Sequence, residues 1–197
     1  MKNLKVRLIF SEGLLGTAPS DKEIYEKFIG DKAPDAPTLE QEIASVGTEE
    51  VIEKGMTIFP RNSAGHPFLY DYQIKGFFKD ACGMLARVKT SESAKLKAYK
   101  KIIDGLVFVS PREIPLQTAG DIVTCQRPLR AQTAQGERVA LAISEEAPPG
   151  TSVEFIISLL DDAHEKAVRE WLDYGTLRGI GQWRNSGKGR FEWEDIS

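Results

Sequence analysis

VEFIISLLDDAHEKAVREWLDYGTLRGIGQWRNSGKGRFEWE, Val153 to Glu194, is the stretch on which the fold turns. Three patterns follow one another in it. Val153 to Leu160 is an apolar run of strand length, entered through Pro148, Pro149 and Gly150. Asp161 and Asp162 then open a helix that sets Ala163, Ala167, Val168, Trp171 and Leu172 on one apolar side and is expected to close at Gly175. After a glycine-rich connection, Phe191 to Glu194 reads as a terminal strand in which alternation buries Trp193.

The rest of the chain supplies the other half of that motif. Leu4, Val6, Leu8 and Phe10 alternate with Lys5 and Arg7, the period of a strand with one wet face. Ile74, Phe77, Phe78, Ala81, Met84, Leu85 and Val88 form one apolar stripe at helical spacing, and Ala94 to Asp104 predicts a second helix ending at Gly105. Met56 to Phe59, Val107 to Val109, Ile122 to Cys125 and Val139 to Ile143 read as strands. Strand, helix, several strands, helix, strand is the order of an α+β, ferredoxin-like (RRM-like) core elaborated with inserted helices and β-hairpins. We read residues 1–197 as one domain. Residues 20–54, with a capping signal at Ser20, prolines at 34 and 37 and an acidic run, form an inserted or mobile lobe.

Cys82 and Cys125 stand in separate apolar stretches without a Cys-x-x-Cys or Cys/His cluster, so both are expected to be buried, reduced thiols with no metal or other cofactor. The apolar run of the first ten residues is too short for a signal sequence or a spanning helix, which predicts a cytoplasmic protein that makes no membrane contact.

The net charge of -3 argues against a uniformly basic nucleic-acid binder, but the charges are unevenly spread. Residues 71–140 carry 12 Lys/Arg against 7 Asp/Glu, whereas the flanking segments are acidic. Within the acidic last segment, Arg178, Arg184, Lys188 and Arg190 occupy a stretch free of acidic residues. That leaves room for one positive surface on an acidic body.

Gly179 to Arg190 (GIGQWRNSGKGR) concentrates that surface. Gly179, Gly181, Gly187 and Gly189 let backbone amides approach an anion, Arg184, Lys188 and Arg190 add charge, and Trp183 is placed to stack on a base or ribose. The same composition also suits a long hairpin with solvated cations, and the run fits neither the Walker nor the dinucleotide pattern. Two further stretches join it: Gly65 to Ala81, where a turn feeds a helix displaying Lys75, Gly76 and Lys79, and Glu145 to Phe155, a tight turn into a long strand. Arg127, Arg130 and Arg138 set cations around a predicted hairpin, either as part of a binding track or as the wet face of an edge strand.

Taken in order, Gly65 to Gly76, Pro149 to Phe155 and Gly179 to Arg190 resemble the RAMP superfamily, the ferredoxin-like RNA-binding proteins of CRISPR effector complexes. Its pattern is a Pro-Gly-Ser-Ser-x-Lys-Gly turn into a helix, a Pro-x-Gly-(Thr/Ser)-x-Phe turn into a strand, and a late glycine-rich loop followed by a strand. The resemblance implies that Lys75, Gly76 and the late loop lie near an RNA backbone. Tyr70-Asp71-Tyr72-Gln73 replaces the family's Pro-Gly-Ser-Ser, which removes its hydroxyls and adds a carboxylate.

Three readings follow. The first is a nonenzymatic RAMP-like subunit that holds single-stranded RNA by its phosphates, alongside other subunits or copies of itself, as part of a ribonucleoprotein for antiviral defence. The second is a metal-independent endoribonuclease using His66; the resemblance also implies that an aspartate of the loop after the first strand, such as Asp21, could cut bound RNA. The third is an accessory or inhibitory protein-interaction module that keeps the fold.

Overall fold

The computed structural model describes residues 1–20, 56–133 and 136–196, with the backbone alone over 129–133 and 136–141. Its strands are β1 (Lys2–Phe10), β2 (Leu14–Leu15), β3 (Ala18–Pro19), β4 (Thr57–Ile58), β5 (Phe68–Tyr70), β6 (Val107–Ser110), β7 (Glu113–Gln117), β8 (Val123–Thr133), β9 (Gly136–Ala147), β10 (Ser152–Leu159) and β11 (Phe191–Asp195). The α-helices among the described residues are α1 (Asp71–Leu85), α2 (Tyr99–Leu106) and α3 (Glu165–Arg178).

β1 is central because strands far away in sequence flank it. β10 pairs with it antiparallel from Lys2↔Leu159 to Ile9↔Ser152, and β11 from Val6↔Asp195 to Phe10↔Phe191. Beyond β10 come β6 and β7, and β5 ends the sheet against β7. The order β11-β1-β10-β6/β7, antiparallel throughout, with α1 between β1 and β6 and α3 between β10 and β11, is the ferredoxin-like α+β arrangement.

The alternation in β1 sends Leu4, Val6, Leu8 and Phe10 into a core shared with Ile74, Phe77, Phe78 and Ala81 of α1 and Val168, Trp171 and Leu172 of α3. Burying each large apolar side chain there is worth roughly 1.5–3 kcal/mol. Aromatic edges lock the layers: Phe191 meets Phe10 at 6.1 Å and Phe77 at 5.4 Å between ring centroids, and Phe78 meets Trp171 at 5.5 Å.

A second sheet is built on the long hairpin β8–β9, paired from Val123↔Glu146 to Thr133↔Gly136. β2 adds antiparallel at one end of β9, and β4 adds parallel through Thr57↔Ser144, with β3 beyond it. The hairpin leads into the turn at Pro148–Gly150. There the Gly150 amide, at φ +87°, donates to the Phe10 carbonyl at 2.7 Å and ties the turn to the end of β1.

Several sequence expectations need correction. α3 runs through Gly175 to Arg178, because Phe191 packs against Gly175 so closely that a Cβ there would lie 2.0 Å from the ring. The helix expected over 94–104 is broken into a short 3-10 turn, Ser93–Lys95, and α2. Ser93 is held elsewhere: its hydroxyl donates to Glu170 (2.7 Å) and accepts from Trp171 Nε1 (2.9 Å), while Glu170 also takes the amides of Glu92 and Ser93. The apolar stripe of α1 stops short of Met84 and Val88, which are 39% and 49% exposed. Trp193 is only partly buried and donates to Asp173 at 2.8 Å, and Cys125 is half-buried where Cys82 is fully so. β5 and β7 have no counterpart among the expected strands. The expected insertion, with Asp21, lies outside the described residues from position 21 on. No helix of the described residues is long and apolar enough to cross a membrane.

A candidate nucleic-acid interface at the glycine-rich loop

The loop between α3 and β11 is stitched to the end of β1 by backbone bonds. Gly189 donates to Gly13 (3.0 Å), Ser11 donates to Arg190 (3.0 Å), and Ile180 donates to Gly189 (2.9 Å), which crosses the two legs of the loop. That crossing is what requires glycine at two positions. A Cβ on Gly189 would lie 2.0 Å from the Ile180 carbonyl oxygen, and one on Gly179 would lie 2.6 Å from that of Lys188. Much of the glycine content thus serves closure of the loop itself.

The amides divide accordingly. Those of Gly179, Ile180, Ser186, Gly187, Lys188 and Gly189 bond within the loop or to its supports. Those of Gly181, Gln182 and Trp183 have no hydrogen-bond partner among the described residues. Gly181 and Trp183 border a cleft of about 450 Å³ lined also by Arg178, Arg184, Asn185 and Ser186. A shallower one of about 250 Å³ adjoins it, bordered by Gln182 and floored by Gln73, Gly76 and Asp80 of α1.

Each cation of the loop has a defined seat. Arg184 donates to Asp80 Oδ2 at 2.7 Å and Arg178 to the same oxygen at 3.1 Å, so one carboxylate holds two guanidiniums on the rim. Lys188 is ion-paired with Glu146 of β9. Burial pushes the Glu146 carboxyl up, but the hydrogen bonds from Lys188 and Cys125 and the charges of Lys188 and Arg127 outweigh it and hold it below the usual glutamate range. Arg190 lies against Gly187 with its Nε buried and unpartnered. Arg178 and Arg184 line the cleft and share Asp80, Arg127 stacks on its Trp183 wall, and Lys188 of the same loop pairs with Glu146, so the described cations of this cluster outnumber the carboxylates paired with them.

Arg127 of β8 is 6% exposed, neither a solvated edge-strand cation nor an open phosphate contact. Its guanidinium carbon stands 3.7 Å over the Trp183 ring and its Nη2 donates to Ser144 at 3.1 Å, but Nε and Nη1 are buried without a partner. Burial pulls its pKa down, against the nearby Cys125 and Glu146. Trp183 itself sits at φ +56°, a left-handed conformation that is uncommon and strained for a bulky residue.

The other expected contacts fall away from this cluster or at its edge. Gly76 floors the shallower cleft, whereas Lys75 turns to the Asp104 carbonyl (3.2 Å) and the Phe108 ring, and Lys79 pairs with Asp104. Asp71 is 3.8 Å from Arg112. Arg130 pairs with Val139 in the hairpin, one register step from Arg138, with side chains outside the described residues. His66 is exposed in a turn closed by Asn62, whose Oδ1 takes the amides of Ala64 and His66. No described side chain bonds to its ring. The residues that sequence reasoning missed are Asp80, Glu146 and Gln73. Gln73 links the Tyr70 amide (2.7 Å) to Thr17 (2.7 Å) and so fixes the start of α1 beside the loop. Asp80 and Glu146 act through partners from distant segments, and Gln73 joins a local bond at the helix start to a distant one at Thr17.

No protein-family model matches the chain, and no curated protein does. A solved fold does match over its whole length. It is a chain of the cryo-EM structure of a type III-B Cmr-beta bound to cognate target RNA, with a TM-score of 0.54 at 12% identity. The match covers 100% of this chain and 60% of that one, so the protein spans little more than half the length of its structural neighbour. At that identity the likeness establishes the fold.

Proposed function

We propose that this chain is a RAMP-like, nonenzymatic subunit of a CRISPR-type ribonucleoprotein that holds single-stranded RNA by its phosphates at the Gly179–Arg190 loop. The observation that carries the reading is the cleft at that loop, where two residues with unpartnered amides, Gly181 and Trp183, adjoin two guanidiniums organised by one carboxylate. Amides and guanidiniums aimed at one concavity form an anion site, and an aromatic ring beside them suits an unpaired nucleotide. The fold it shares with a chain of an RNA-bound Cmr-beta assembly supports the same reading. The other subunits of such an assembly, or further copies of this chain, are its expected partners.

The test is the salt dependence of RNA binding. Each phosphate contact to single-stranded nucleic acid contributes roughly 0.7 to the slope of log affinity against log salt. Replacing Arg184 and Lys188 together by alanine should therefore flatten the slope by about one to one and a half and weaken binding at low salt. An unaltered slope in the double variant would remove the loop from the interface. Among the described residues no side chain bonds to the ring of His66, the residue that the nuclease reading would use.

A further inference from the structure

Five residues of the late loop have positive φ, and four of them are glycines: Gly179, Gly181, Gly187 and Gly189. The fifth is Trp183. A glycine would hold that conformation without steric cost, so the indole opposes the local backbone preference. One face of the ring covers Arg127, whose two unpartnered buried nitrogens make it a poor structural element by itself. Trp183 also lines the cleft, together with Asn185 and Ser186.

The polar groups of the cleft are lopsided. Arg178 Nη1 donates to Asn185 Oδ1 at 2.6 Å, and because a guanidinium only donates, the oxygen of that amide must face it. The Asn185 Nδ2 donors are left for the cleft. With them stand the free Gly181 amide and the spare N–H groups of Arg178 and Arg184, while Ser186 supplies the one side-chain hydroxyl. Asp80 Oδ2, the carboxylate oxygen that holds the two rim arginines, is occupied by both of them. A cleft so rich in donors selects a ligand edge made of acceptors.

We infer that the cleft takes one unstacked keto nucleobase, uracil or guanine, lying on the Trp183 face opposite Arg127 with its carbonyl oxygens toward Asn185 and Gly181. The inference rests on the RNA-binding reading above and adds base selection to it. Uracil O4 or guanine O6 and N7 present acceptors where cytosine and adenine present an amino donor, and a donor facing Nδ2 and guanidinium N–H groups goes unsatisfied. The base reaches this position only when it is free of a duplex. The site is thereby a reader of single strands, with phosphates held by the rim and one base held inside.

Uridine and cytidine oligomers of about a dozen nucleotides are the probes, since they share size and backbone and differ at the keto or amino edge. Affinities are measured by fluorescence anisotropy on the full chain. The uridine oligomer should bind roughly five- to hundredfold tighter. Asn185→Ala should equalise the two while keeping the wild-type salt slope. Trp183→Gly, which relieves the backbone, should weaken uridine binding roughly five- to hundredfold. Trp183→Phe, which keeps a ring, should preserve the order of preference if the glycine variant unfolds. Equal binding of both oligomers by the wild type would overturn base selection and leave the phosphate reading standing. Binding of neither would overturn both.

Discussion

Asp80→Asn is the perturbation whose sign tests whether the rim arginines work on RNA. Asp80 Oδ2 takes both Arg184 (2.7 Å) and Arg178 (3.1 Å), so the three side chains together carry one positive charge. The amide keeps an oxygen in the same place for both guanidiniums but raises that charge to two. The side chains are 27%, 29% and 24% exposed in the order Asp80, Arg184, Arg178, and ion pairs screened to this degree are worth about 0–1 kcal/mol each. The fold should lose at most about 2 kcal/mol. An RNA phosphate about 6 Å from the carboxylate is repelled by roughly 0.7 kcal/mol at the dielectric of water and by twice that at half the dielectric. Removing the repulsion should tighten binding about three- to tenfold at low salt, with the gain fading as the Debye length falls below about 10 Å. Anisotropy titrations of a uridine oligomer at about 50 and about 200 mM salt measure this, alongside a thermal melt. Weaker binding by Asp80→Asn at an unaltered melting temperature would refute the reasoning, because the arginines would then have been serving α1 and not the cleft.

Two further outcomes follow from the packing and from Glu146. Gly175→Ala should gain about 1 kcal/mol of helix propensity but set a Cβ 2.0 Å from the Phe191 ring, which is fully buried between Phe10 and Phe77. Overpacking of this kind costs about 1–3 kcal/mol, so the urea midpoint should fall, and a rise would show that the ring yields freely. The Glu146 carboxyl is held low in the folded protein, so its stabilisation is complete above the unfolded value near 4.3 and is lost as pH falls through the lower folded value. The stability difference between wild type and Glu146→Gln should accordingly shrink when urea midpoints are taken at progressively lower pH below about 4.3; a difference independent of pH would mean that Glu146 does not hold Lys188 in solution.

The skeleton of the fold was legible because its signals are local. The alternation of Leu4 to Phe10, the stripe from Ile74 to Ala81 and the run from Val153 to Leu159 each report a buried face through spacing alone, and each became the element expected. The readings that failed depend on distant partners. Gly175 looked like a helix stop until Phe191 explained it as a packing notch. Ala94 looked like the start of a helix, but Glu170 and Trp171 claim its neighbour Ser93 from 77 and 78 residues away. The three-residue β5 is too short to show a period, and it forms because β7 offers it an edge at Phe68↔Pro115 through Tyr70↔Glu113.

The site shows the same division in its charges. Composition marked Gly179–Arg190 as glycine-rich and basic, yet two of the glycines are required by the crossing of the loop's legs and two of the loop's cations are ion-paired with carboxylates from α1 and β9. A surface built for steering alone would leave those cations free. Here Asp80 and Glu146 convert diffuse charge into fixed geometry by holding Arg184 and Lys188 in place. If the loop binds as proposed, carboxylates so placed weaken the phosphate contacts nearest them and act little on a neutral base, which would shift the balance of binding from charge toward the contents of the cleft. On the proposed reading these carboxylates would contribute to selectivity, because lowering the phosphate contribution raises the share of the total that one correctly shaped base can decide.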